Sequence, residues 1–201
     1  MKALIVLVVI GLIVLSIFGM YISTKNTLVS KNEAVKSQWS TVDVALQRRA
    51  DLIPNLVETV KGIAQQEQAV FGDIAAARSR LLGAGSPQEK IAANQQLDGA
   101  IGRLLLVVEN YPQLRSSENF LRLQDELAGT ENRISVERKR YNDALQDYNT
   151  YIGQFPASLF AASAGFKRND AYFQASEGSR TAPKVQFNLK DQPQSQAAPA
   201  H

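Results

Sequence analysis

Hydrophobic residues along the chain follow two different patterns. From Ala3 to Ile22 the run ALIVLVVIGLIVLSIFGMYI contains no charged residue. At about 1.5 Å per helical residue it is long enough to cross a hydrocarbon layer about 30 Å thick. It exceeds the apolar core of roughly 7–15 residues typical of a secretory leader and has no small-x-small cleavage site, so residues 1–23 are expected to form an uncleaved transmembrane anchor. Farther on, apolar positions recur in alternating steps of four and three. They are Val35, Trp39, Val42 and Leu46, then Ile53, Leu56, Val60 and Ile63, then Val70, Ile74, Ala77 and Leu81. Only Arg49 and Glu67 interrupt this seam. A repeat of 3.5 residues is the pattern of a helix wound against partner helices in coiled-coil fashion.

Pro54 lies inside this pattern, in QRRADLIPNLVETVKG (residues 47–62), where every neighbour favours helix. Inserted loop residues normally shift a repeat, and here its phase is kept. The favoured reading is therefore one helix from about Leu28 to Leu82, about 80 Å long, bent at Pro54 where the Ala50 carbonyl loses its backbone donor. The alternative makes Asp51 an N-cap after a sharp reversal, with Pro54 in a tolerated first-turn position. Gly83-Ala84-Gly85 then stops the helix. Ser86-Pro87-Gln88-Glu89 is a capping box with proline at the first helical position. It opens a helix to about Asn110 that buries Leu97, Ile101, Leu104, Leu105 and Val108. Ser116 or Ser117 caps a third long helix to about Gly153, with a seam of Phe120, Leu123, Leu127, Ile134, Tyr141, Leu145, Tyr148 and Ile152.

Phe155-Pro156 breaks that helix, and the aromatics of residues 157–173 are expected to cap the end of the core. A membrane-interface role beside Lys167 and Arg168 is the competing reading. From Ser176 onward the chain is too polar and aperiodic to order itself. The predicted architecture is all-α: an anchor over 1–23, an antiparallel bundle of three long helices plus one short, or four, over 24–175, and a disordered tail over 176–201.

Composition narrows the chemistry. The chain has no cysteine and one histidine, His201, at its last position. Disulfides, thiol chemistry, His/Cys metal sites and histidine-based triads are thereby excluded. No Glu-x-x-His pair of the kind that builds di-metal sites in bundles is present. The glycines before Ser86 follow a helix and lack a Lys-Ser/Thr pair, so they form a turn and no phosphate loop. Neither enzyme activity nor a cofactor is expected. Basic and acidic side chains nearly balance between residues 24 and 175, and the clusters Arg48-Arg49 and Arg138-Lys139-Arg140 have carboxylates nearby, so no nucleic-acid footprint emerges. Arg49 needs a carboxylate partner if it faces the core, and Glu131 and Glu137 are the candidates.

SQWSTVDVALQRRADLIPNLVETVKG, from Ser37 to Gly62, resembles a signature of the LemA family. ENYPQLRSSENFLRLQDELAGTENRISVERKRYNDALQDYNTYIGQFP, from Glu109 to Pro156, resembles a second one, and Gly165-Phe166 fits its close. Ile63 and Gln66 depart from the family's frequent aromatic and histidine. The resemblance implies a membrane-anchored bacterial protein with a helical-bundle domain and no transferable enzymatic function.

The leading functional expectation is a membrane-tethered scaffold or adaptor that binds an unknown membrane or membrane-proximal protein, or a second copy of itself. A sensor or signal-relay bundle binding a small ligand is the alternative. Because the other helices are too short to cover a helix about 80 Å long, its membrane-proximal part should offer Val35, Trp39 and Val42 to a partner. Further candidate structural or contact residues are Arg48, Arg49, Asp51, Pro54, Asn55, Glu58, Glu131, Asn132 and Arg133. Lysine counts on the two flanks of the apolar run lean toward a cytoplasmic bundle on the bacterial inner membrane.

Overall fold

The structure, a computed structural model, describes residues 1–174 and is all-α over them; the expected tail at 176–201 lies outside the described residues. Helix α1 spans Lys2–Lys61 as 60 continuous residues, about 90 Å of rise. Its apolar side chains from Leu4 to Phe18 are exposed, with no part of the bundle against them. The same helix then enters the bundle without a break and carries the bundle's central seam: Leu28, Val35, Val42, Leu46, Ile53, Leu56 and Val60 are buried. Pro54 lies inside it on the solvent side, so the helix passes through the proline as expected.

The expected rod of about 80 Å ending at Leu82 is not what forms. The chain turns back at residues 62–67, beginning eight residues after Pro54, and α2 (Gln68–Gly83) runs antiparallel to the end of α1. Ala64 is fully buried and pins the turn to the core, with its N–H donating to the Val60 carbonyl at 2.8 Å. Ile63, which continued the seam on paper, is 42% exposed, and Glu67 is the residue that precedes α2 rather than a charge in a helical core. Phe71, Ile74, Ala77 and Leu81 form α2's own buried stripe, so the unbroken phase arises from two helices whose repeats happen to line up across the turn.

Helix α3 (Pro87–Glu109) opens on the predicted capping box: Ser86 Oγ accepts from the Glu89 N–H, and the Glu89 carboxylate accepts from the Ser86 N–H. It packs along α2, antiparallel, with Arg80–Gln96 and Arg103–Asp73 contacts across the pair. A single turn, α4 (Pro112–Arg115), buries Leu114 at the far end. Helix α5 (Glu118–Gly153) then descends antiparallel to α1, with Arg49 against Glu131, Trp39 against Tyr141 and Lys31 against Asp147 marking the register. The bundle is thus four helices, up-down-up-down.

The 16 and 23 residues of α2 and α3 cover only the distal half of the α1–α5 pair. The proximal half is closed by the end of the described chain. One helical turn, α6 (Ala157–Phe160), sits beside the start of the bundle, where the Phe160 and Tyr21 rings meet edge to face at 5.6 Å. Residues 166–173 then run back up α5 as an extended strap. The aromatic segment over 157–173 is therefore one helical turn followed by non-helical chain. Such a strap satisfies only part of its own backbone, Tyr172 N–H donating to the Asp170 carbonyl and Ala171 N–H to Asn169 Oδ1, and α5 supplies further partners. Tyr148 Oη donates to the Lys167 carbonyl, Asn149 pairs with Asn169 through both N–H and C=O, and Asn142 does the same with Phe173. Two asparagines seven residues apart lie on one face of α5, so both reach the same strap.

Candidate functional site

One turn of α1, around Arg49 and Ala50, holds all four helices together. Arg49 is 5% exposed. Its guanidinium makes an ion pair with Asp98 of α3, approaches Glu131 Oε2 of α5 at 2.8 Å off the hydrogen-bonding direction, and donates to Asn94 Oδ1 at 3.3 Å. Asn94 in turn donates to Asp98 at 3.1 Å, one helical turn on. Arg138 reaches Asp98 at 3.7 Å and Glu131 at 4.0 Å while its guanidinium lies 5.1 Å from the Phe173 ring centre. Two guanidiniums and two carboxylates neutralise one another, the arrangement that makes charge tolerable in a core. Next to Arg49, the Ala50 carbonyl that Pro54 deprives of a helical donor accepts from Arg78 Nε of α2 at 2.7 Å. A second α1–α3 ion pair joins Lys90 to Asp43.

Below this cluster Trp39 stacks on Phe173 at 6.2 Å and meets Tyr141 edge to face at 5.3 Å; Tyr141 and Phe173 are also edge to face, at 5.9 Å. Burial pushes the Tyr141 phenol above its ordinary range, with Tyr172 adding to the effect, and its hydroxyl is buried without a hydrogen-bond partner. Burial likewise raises Tyr148, although its bond to the Lys167 carbonyl acts the other way. These phenols are neutral packing elements and are poorly placed to act as bases at neutral pH.

The predicted residues divide into two sets. Val35 and Val42 are buried and Trp39 half-buried, all within the chain's own core. The expectation that they face a partner is corrected, because α5 and the strap already cover them. Arg49 does pair with Glu131. Glu137, the other candidate, turns instead to Arg140 at 3.0 Å. Arg48, Asp51, Pro54, Asn55 and Glu58 are exposed on the opposite side of α1, and Asn132 and Arg133 are exposed on α5. Asp43, Val44, Gln47, Arg48 and Asp51 line an open groove of about 450 Å³. Among the described residues no three His, Cys, Asp or Glu side chains gather as metal ligands would. Sequence reasoning missed Asn94, Asp98, Arg138 and Arg78. A signal for the first existed: Asn94 lies between Ile91 and Leu97 on the buried stripe of α3, where a polar residue needs a partner.

A long apolar helix continued into a four-helix bundle, strapped by its own C-terminal segment, defines the class: an all-helical, membrane-associated protein. The chain belongs to the LemA family, whose model matches residues 38–187. It is 31% identical over 175 residues to magnetosome protein MamQ 2 of Paramagnetospirillum magneticum, covering 74% of this chain and 64% of that protein. MamQ of Magnetospirillum gryphiswaldense is 26% identical over 179 residues, with 76% and 66% covered. Protein LemA of Metamycoplasma hominis is 25% identical over 164 residues, with 81% and 74% covered. The chain thus spans just under two-thirds of the length of these MamQ relatives.

Proposed function

We propose that this protein is a single-pass protein of the bacterial inner membrane, with its bundle in the cytoplasm, and that it works as a tethered scaffold or adaptor without catalysing a reaction. The observation that carries the reading is the continuity of α1: one helix is both the apolar segment and the central stave of the bundle. A stave shared in this way holds the bundle's outer face at a set height relative to the bilayer. The charged residues in the core are engaged with one another, and a chain without cysteine and with a single histidine offers few groups for acid-base or nucleophilic work.

The surface assigned to the partner, another protein or a second copy, is the outer stripe of α1. Val44, Arg48, Asp51, Asn55 and Glu58 recur there in steps of four and three, the spacing of a helix-packing face, and Val44 is 68% exposed. A photo-crosslinking residue at Val44 or Asn55 should give a discrete adduct in cells, and one at exposed Gln124 on α5 should not. Arg48→Ala with Asp51→Ala should abolish that adduct while leaving the bundle's melting unchanged. Absence of an adduct from every stripe position would overturn the assignment. For orientation, Gln113→Cys in this cysteine-free chain should resist an impermeant thiol reagent in intact cells, and ready labelling would place the bundle on the other side.

A further inference from the structure

Beyond the apolar run of α1, the most exposed large hydrophobic side chain among the described residues is Phe155, at 74%. Leu159, at 65%, lies four residues on. Single exposed apolar residues are common on soluble surfaces. The position of these two is not arbitrary, because both belong to the elbow where α5 ends and α6 begins, and α6 is packed on α1 where the apolar run ends. Phe160, next to Leu159, contacts Tyr21, and Tyr21 is the penultimate residue of that run. Thr24 and Leu28, one and two turns on, are buried. The elbow is therefore level with the point where the apolar helix leaves hydrocarbon.

Basic side chains predominate around the elbow, the flanking carboxylates Asp147 and Asp170 being paired with Lys31 and Arg168. From Tyr148 to Asn169 there is no carboxylate, and from Met1 to Asn32 there is none. Lys25, Lys167 and Arg168 are exposed in these two stretches, with Arg168 bonded to Asp170. Apolar side chains beside lysines, at the depth of a helix's exit from the bilayer, are the composition of an interfacial contact.

We propose that this elbow is a second membrane contact, in which Phe155 and Leu159 insert into the interfacial layer of the leaflet that α1 leaves, and Lys25 and Lys167 lie against anionic headgroups. The proposal rests on the reading of α1 as a membrane span. Its consequence is a two-point hold: the span sets the height of the bundle, and the elbow fixes its rotation about the α1 axis and its tilt. The stripe at Val44 to Glu58 then points in one direction along the membrane rather than sweeping all of them.

The test uses the full chain in vesicles of phosphatidylethanolamine and phosphatidylglycerol, with an environment-sensitive fluorophore on single cysteines introduced as Ile13→Cys, Phe155→Cys, Leu159→Cys or Gln113→Cys. All four sites are exposed, so labelling leaves the core intact. Emission from positions 155 and 159 should be largely lost with lipids carrying a quencher near the headgroup, and emission from position 13 with a quencher deep in the acyl chains. Position 113 should respond only to aqueous iodide. If position 13 responds to the deep quencher while 155 and 159 behave like 113, the span stands and the elbow contact is overturned. Shielding of 155 and 159 from both lipid and iodide would mean a protein covers them, which also overturns it. Failure at position 13 would sink the span and the elbow contact together.

Discussion

Pro54 in the middle of a helix leaves the Ala50 carbonyl without its intrahelical donor, and burying an unpaired carbonyl costs about 1–3 kcal/mol. Ala50 is fully buried, and Arg78 of α2 supplies the missing donor. The proline therefore makes a docking point for α2 as well as a disturbance in α1. Arg78→Ala is expected to destabilise the bundle by about 1.5–3 kcal/mol, the range for a hydrogen bond from a charged group. In a Pro54→Ala background residue 54 can donate to Ala50 itself, and the same change should cost about 1 kcal/mol less; a double-mutant cycle read by denaturant melts checks this. Additive effects would mean that Arg78 acts elsewhere. Arg49→Ala should cost about 3 kcal/mol, the low end for a broken buried pair, since Asp98 and Glu131 are partly exposed and can rehydrate. The need for a partner to Arg49 was legible because a charge broke an apolar seam. The need at Ala50 was legible too, but its donor was not, since nothing in the sequence of α2 marks Arg78 as an inward arginine.

Among the elements, those with terminal signals were the legible ones. Ser86, Pro87 and Glu89 start α3 as their chemistry requires; Ser117 precedes α5 as expected, but neither its side chain nor that of Ser116 makes the expected capping bond. The reversal that begins at Gly62 was hidden because periodicity measures phase and is blind to direction: a short turn can return a chain with the same count of apolar steps. The strap's path was hidden for another reason: its aromatics were legible as core-capping residues, but the α5 asparagines that hold its backbone carried no signal. The capping box also gives α3 a pH dependence. Hydrogen bonds from the Gly85 and Ser86 N–H groups hold the Glu89 carboxyl below its ordinary value of 4.5. A depressed folded-state pKa means that the stabilisation is complete above the unfolded-state value and fades as pH falls through the folded one. Glu89→Gln should therefore flatten the acid limb of a melting-temperature profile between neutral pH and about pH 3. An unchanged limb would show that other carboxylates dominate it.

For the whole molecule, the strap decides whether the proximal half of the bundle is a closed core or an open two-helix seam. With α2 and α3 ending at mid-height, the faces of Val35, Trp39 and Val42 would be uncovered, which is the surface sequence reasoning assigned to a partner. Residues 166–173 occupy it instead, through Phe166, Tyr172 and Phe173 on the core and paired amides at Asn142 and Asn149. Trp39 is the chain's only tryptophan and stacks on Phe173, so its emission reports the strap directly. Asn142→Ala with Asn149→Ala removes the four bonds these amides make to the strap backbone and leaves the apolar contacts in place. At about 1 kcal/mol per net hydrogen bond, the strap should detach for part of the time while the distal four-helix portion, tied at Arg49, stays folded. Trp39 emission should shift to the red, iodide should quench it more strongly, and far-ultraviolet helicity should hold. Phe173→Ala should produce the same shift by removing the stacking ring. If both variants leave Trp39 emission unmoved, packing of α1 on α5 alone closes the proximal core, and the strap is a passenger on it.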